Sequence, residues 1–262
     1  YISLVGESED GVILDAEGDA GVMNCSNVFH STISNVTLTG GLVDNSGQHQ
    51  GGGGMYLDNS NLTLTNVTIT GNTANSGSNG GGVCMNNSNP VFLNVTIIDN
   101  AVTGPNDEGG GIYCYNSSPS LENVKISGNL SSYIGGGMYF SHSSPNLTNV
   151  TITGNTSSNR GGGIYSEGGS SPTLTNVTIA NNTANSYGGG GIFVQGSSLN
   201  LVNCILWNDL PEEVYFSNFN PNNSIIIAFS DIQGGEAGIA TNNNGTVNWE
   251  EGNIDADPLF VD

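Results

Sequence analysis

Aromatic side chains recur along this chain at a near-constant interval, several with a carboxylate or amide two residues further on: Tyr56 with Asp58, Tyr165 with Glu167 and Phe193 with Gln195. Tyr113 and Tyr139 repeat the ring without the acid, and Cys84, followed by Asn86, takes its place once. A flat ring can cover the apolar face of a sugar, while a neighbouring carboxylate or amide bonds hydroxyls. Tyr56, Tyr113, Tyr139, Tyr165, Phe193, Asp58, Glu167 and Gln195 therefore form a candidate glycan-binding face. The competing role is structural: rings stacked on one another stabilise strand pairing by about 0.2 to 1 kcal/mol per pair.

A repeat must position those residues. The phrases NVTL, NVTI, NVTI, NVKI, NVTI, NVTI and NCIL begin at Asn35, Asn66, Asn94, Asn123, Asn149, Asn176 and Asn203, with gaps of 31, 28, 29, 26, 27 and 27 residues. A Gly run ending in an apolar residue keeps step with them, as in Gly54-Met55, Gly111-Ile112 and Gly163-Ile164. A fixed period of this length specifies a solenoid. Apolar residues alternate with period two, so each coil is read as three short strands: the Gly-Met-Tyr-Leu phrase, the residues ending at Leu64, and Val67 through Ile69. The predicted fold is all-β, a single-stranded right-handed parallel β-helix of about 8–9 coils. It is one domain, 1–262, with N-terminal coils over 1–40, regular repeats over 41–208 and irregular C-terminal coils or a cap over 209–262.

Three apolar ladders should face inward, through Met55 to Ile192, Leu64 to Leu201 and Leu38 to Leu206. The repeated Asn, placed at the bend between the second and third strands, should form a column whose amides bond to one another. In this geometry Asp58 and Glu167 lie four coils apart, roughly 19 Å, too far for an acid/base pair. His30, His49 and His142 occupy unrelated positions and form no site.

Two Lys plus Arg against 23 Asp plus Glu give a net charge of -21, which argues against nucleic acid as a partner. The acids crowd the two ends. Glu7, Glu9, Asp10, Asp15, Asp255 and Asp257 are a candidate set for Ca²⁺, a hard cation served by carboxylates, although acidic ends also discourage edge-to-edge association. No cofactor is required. Cys25, Cys84, Cys114 and Cys204 lack metal-ligand spacing and read as isolated packing thiols, with Cys84 outward and Cys114 inward. Neither a signal peptide nor a membrane span is evident, and no membrane insertion is expected.

The Gly-Gly-Gly-Ile-Tyr and Asn-Val-Thr-Ile phrases resemble the repeats of secreted bacterial right-handed β-helix proteins of the pectate-lyase-like superfamily. The stretches Ala228-Phe229-Ser230-Asp231-Ile232-Gln233-Gly234-Gly235 and Gly252-Asn253-Ile254-Asp255-Ala256-Asp257-Pro258 look like the late part of such domains. The resemblance implies secretion or display on a bacterial surface, contact with an extracellular polysaccharide or surface glycan, and flanking capping and sorting segments outside this sequence. It implies no activity by itself. Lyases on this scaffold use basic residues, and this chain offers Lys125, outward on the third strand, and Arg160, in a loop entering a first strand. The leading expectation is a non-catalytic module for adhesion, glycan contact or structural display. Two alternatives stand beside it: a polysaccharide lyase or hydrolase, and an ice- or mineral-binding face on the outward pairs Thr37/Thr39, Thr68/Thr70 and Thr151/Thr153, which Lys125 interrupts.

Overall fold

The computed structural model describes residues 3–8, 11–44 and 51–260. Every strand pairing in it is parallel, each strand lying on its counterpart one repeat away. Eight strands, Met23–Ser26, Met55–Asp58, Val83–Asn86, Ile112–Tyr115, Met138–Ser141, Ile164–Glu167, Ile192–Gln195 and Val214–Phe216, stack into the first sheet. The result is a β-solenoid of about 8 turns, as the period required.

The division of each coil differs from the three separate strands expected. The second and third strands belong to one sheet, and in Phe29–Thr39, Asn61–Thr70 and Val91–Ile98 they run together without a break. The corner survives inside these continuous strands because one residue changes conformation. Asn35, Asn66, Asn94, Asn123, Asn149, Asn176 and Asn203 all hold φ between 53 and 56°, the left-handed region that Asn tolerates better than other side chains. As expected, they form a column, each Nδ2 from Asn66 onwards donating to the Oδ1 of the Asn one coil earlier at 2.6–3.2 Å, and Asn35 Nδ2 donating to the Gly6 carbonyl.

An unexpected third sheet of six short strands, from Leu42–Asp44 to Thr183–Ala184, completes the coil. A second Asn column introduces it: Asn72, Asn100, Asn129, Asn155 and Asn182, all buried. In this column each Nδ2 donates to the Oδ1 of the next coil's residue and to a core carbonyl of the preceding coil. The same Oδ1 also accepts the backbone N–H of the preceding coil's Asn. A buried corner has no water to satisfy these backbone groups, and one amide per coil does so instead. Asp209 ends the column, its Oδ1 accepting from the backbone N (2.6 Å) and Nδ2 (2.8 Å) of Asn182. Ser60, Ser88, Ser117, Ser143 and Ser170 do related work at the end of the first sheet, each hydroxyl accepting a backbone N–H from the preceding coil and donating to a carbonyl of its own turn.

The three apolar ladders fill the interior as predicted. Met55, Val83, Ile112, Met138, Ile164 and Ile192 are fully buried, as are Leu64, Phe92, Leu174 and Leu201 and the Leu38-to-Leu206 ladder. Side chains at alternate positions of the first sheet point away from this core, which aligns its aromatic residues on the outer face.

Candidate functional site

The first-sheet register places Tyr56, Cys84, Tyr113, Tyr139, Tyr165 and Phe193 in one column, and the structure extends it to Tyr215. From Tyr113 onwards the rings stack face to face, with centroids 5.0, 5.5, 5.1 and 5.3 Å apart. Most of the column is not a free platform. Tyr139, Tyr165 and Phe193 are only 4, 2 and 2% exposed, whereas Tyr113 and Tyr215 are half-buried. This corrects the expectation that all the rings present a sugar-binding surface.

The cover comes from the residue four positions before the apolar residue that opens each first-sheet strand. Gly51, Asn79, Glu108, Ile134, Arg160 and Gly188 fall in register, since the next Gly N–H of each coil bonds the carbonyl of this residue one coil on. Each meets the first-sheet residue of the following coil. Ile134 packs in the cluster with Tyr139, Tyr165 and Phe193, Arg160 lies 5.5 Å from the Phe193 ring centre and 4.8 Å from that of Tyr187, and a Cβ on Gly188 would strike Tyr215. The insertions between coils thus bring cover to the rings, and their lengths gave no sequence signal of where they would land.

Glu108 joins this network although sequence reasoning passed over it. Its carboxyl lies close to the Tyr139 hydroxyl, whose single proton is donated to Glu167 Oε1 at 2.6 Å. Burial, then the nearby Glu167 charge, push the Glu108 carboxyl up to about 7, against the opposing pull of the Tyr139 hydroxyl. Glu167 Oε2 accepts from Gln195 Nε2 at 3.0 Å and from the Tyr165 hydroxyl at 3.4 Å. Glu167 is therefore bonded to Gln195 and to two ring hydroxyls, while Gln195 Oε1 accepts from the Ser217 hydroxyl at 3.3 Å. The Tyr139 hydroxyl, held among carboxylates and buried, is driven far above its ordinary value, burial being the leading cause.

One level of the column is different. At Cys84 the ring is missing, and its covering residue is Gly51, whose φ of +93° and contact with the Cys84 sulfur leave no room for a side chain. The two small residues together open a cavity of about 350 Å³, bounded by Tyr56 and Tyr113 on either side, with Asn79, Asn86 and Tyr115 at its edge. Tyr56 and Tyr113 are two coils apart, roughly 10 Å. Its lining carries no charged side chain. Burial, assisted by the Asp58 charge, pushes the Cys84 thiol up to about 12, so it is an inert floor. Asp58 lies on the same strand as Tyr56 and next to Asn86 in register.

The remaining predicted positions lie elsewhere. Asp58 and Glu167 are separated by Asn86, Tyr115 and Ser141 in the register, as the four-coil spacing demanded. Glu7 and Asp15 stand at the opposite end of the solenoid from Asp255 and Asp257, and Glu9, Asp10 and His49 lie outside the described residues. Asp15 Oδ1, Asp255 Oδ1 and Asp257 Oδ1 accept backbone N–H groups at 2.8, 3.1 and 3.0 Å. Among the described residues no group of three or more His, Cys, Asp or Glu is arranged to hold a metal. All four cysteines are free and buried, with Cys114 paired to Met85 and facing the core. Lys125 sits exposed on the second sheet between Thr96 and Thr151, far round the coil from Arg160.

A parallel solenoid with these columns is the architecture of the right-handed β-helices. The family model of the right handed beta helix region matches residues 8–156 and 110–256, and the chain belongs to that family. Among solved structures, the crystal structure of the pectin methylesterase from Aspergillus niger in deglycosylated form is similar, at 16% identity and a TM-score of 0.45, over 96% of this chain and 81% of that one. No curated protein matches the sequence. No helix among the described residues is long and apolar enough to cross a membrane.

Proposed function

We propose that this chain is a non-catalytic β-helix module, secreted or displayed at the cell surface, that makes contact with a glycan through the outer face of its first sheet. The observation that carries this reading is the uncharged, tyrosine-walled cavity at Cys84, which joins apolar ring faces to amide groups in the proportions a sugar ring requires. Export follows from the resemblance of the repeats to secreted β-helix proteins. A glycan array comparing the native chain with Tyr113→Ala tests it: binding should be present in the first and reduced at least tenfold in the second. Equal signals from both proteins would remove the tyrosines from any binding role.

A second reading, hydrolysis of a polysaccharide, is favoured by one feature. Burial and the nearby Glu167 charge push the Glu108 carboxyl up to about 7, and an acid beside a second carboxyl group is what glycoside cleavage uses. Against it, Glu167 Oε1 is already occupied by the Tyr139 hydroxyl and Oε2 by Gln195. Release of reducing ends from neutral or acidic polysaccharides, abolished in Glu108→Gln, would establish this reading in place of the first.

A further inference from the structure

Between Tyr56 and Tyr215 the aromatic column lacks one member, at Cys84, and the absence has the dimensions of a ring; beyond Tyr56 the register ends at Asn24. Neighbouring rings from Tyr113 to Tyr215 sit 5.0–5.5 Å apart, so Tyr56 and Tyr113, separated by two coils, leave one equivalent place between them. We propose that a single neutral pyranose unit enters the column at Cys84, sandwiched between Tyr56 and Tyr113, as the ligand replacement for the missing side chain. The inference rests on the glycan-contact reading and names the class of sugar and the place it takes.

Three observations converge on it. First, both residues that would fill the level are small: Gly51 has no side chain and Cys84 ends at its sulfur, whereas the other levels pair an aromatic with Asn79, Glu108, Ile134 or Arg160 or, once, with Gly188. The Gly188 level holds the full Tyr215 ring beside a glycine, so a Gly51-type neighbour is compatible with a ring. Second, the lining is uncharged and the whole chain carries -21, which disfavours an acidic sugar. Third, Asn79 and Asn86 stand at the edge, where hydroxyls of an inserted ring would emerge. Asn79 Oδ1 accepts the Glu108 backbone N–H at 2.8 Å, which fixes the amide and turns its Nδ2 donor to the other side. Ring faces on both sides with polar groups at the perimeter match a pyranose, which is apolar on its faces and hydroxylated at its rim.

Filling the level with protein tests the proposal. A series at one position, Cys84→Ala, native Cys84, Cys84→Met and Cys84→Phe, should bind neutral oligosaccharides of glucose, galactose or mannose with affinity falling as side-chain volume rises. Ala should bind at least as well as Cys, and Phe at least tenfold more weakly, with a raised melting temperature as the ring completes the stack. The Met variant adds an unbranched, flexible side chain of intermediate volume, and its affinity should lie between those of Cys and Phe. Unchanged binding across the series, combined with loss in Tyr113→Ala, would place the sugar on the outer face: the insertion fails and the glycan-contact reading stands. Binding of oligouronates alone would overturn the neutral class. An array on which the native chain binds no glycan would overturn the reading and the insertion with it.

Discussion

Asp209→Asn is expected to stabilise the C-terminal coils in a strongly pH-dependent way. Asp209 occupies the last place of the buried amide column, and its backbone N–H donates to Glu213 Oε1 at 3.1 Å, so Glu213 stands in for the Asn of a further coil. Register puts Asp209 Oδ2 where every preceding member has an N–H₂ group, opposite the Ile179 carbonyl. Neither Oδ2 nor Glu213 Oε2 has a hydrogen-bond partner, and both side chains are buried beside the partly exposed Glu212. Burial, and then Glu213, hold the Asp209 carboxyl well above its ordinary 3.8. A raised folded-state value contributes stability that is complete below about pH 3.8 and disappears as pH rises through the folded value. An Asn amide restores the donor at every pH. Relief of one unsatisfied buried group is worth about 1–3 kcal/mol, so the variant should match the native chain near pH 4 and exceed it by about that amount at pH 7.5. Urea unfolding followed by the fluorescence of Trp207 and Trp249, both in the C-terminal coils, reads the difference. A gain that is equal at both pH values, or a loss at pH 7.5, would refute the assignment of a protonated Asp209.

Other outcomes follow from the same columns. Asn155→Ala leaves the backbone N–H and Nδ2 of Asn129, the Ile126 carbonyl and Asn182 Oδ1 short of partners, and should cost more than about 3 kcal/mol in urea unfolding. Asn149→Ala, in the exposed column, should cost about 1–2 kcal/mol, since water replaces its lost partners and the left-handed conformation supplies the rest. Glu108→Gln should flatten the decline in stability between about pH 4.5 and 7, because the native carboxyl is raised to about 7 and is destabilising once ionised. Urea midpoints at pH 5 and 8 check this, and an unchanged slope would count against the Glu108–Tyr139–Glu167 network. Tyr56→Ala should weaken glycan binding with little loss of stability, as measured by titration calorimetry and thermal melting, because this half-buried ring lies at the edge of the gap.

Period and alternation made the columns legible: the interval between Asn66 and Asn94, or Asn149 and Asn176, is the hydrogen-bond register itself. The apolar ladders followed from the same count. The buried column was written equally plainly in Gly71-Asn72, Gly128-Asn129 and Gly154-Asn155, but a Gly-Asn pair is also an ordinary turn signal, and only burial separates the two. Loop placement was not legible. Nothing in the insertion before Gly135 indicates that Ile134 will lie against buried rings, or that Glu108 will reach a hydroxyl one coil away, because variable loops carry no period from which contacts can be counted. Hence the tyrosines were correctly aligned and wrongly exposed. The Cys84 gap was visible as a break in the pattern, but its meaning required knowing that Gly51 covers the same level.

The most direct test is to titrate ring-labelled protein with a neutral oligosaccharide and follow the tyrosine ring resonances by NMR. Tyr56 and Tyr113 should shift together, with Tyr165 and Tyr187 unmoved. Shifts confined to Tyr187 and Tyr215, or absent from every ring while binding is saturated, would contradict the account.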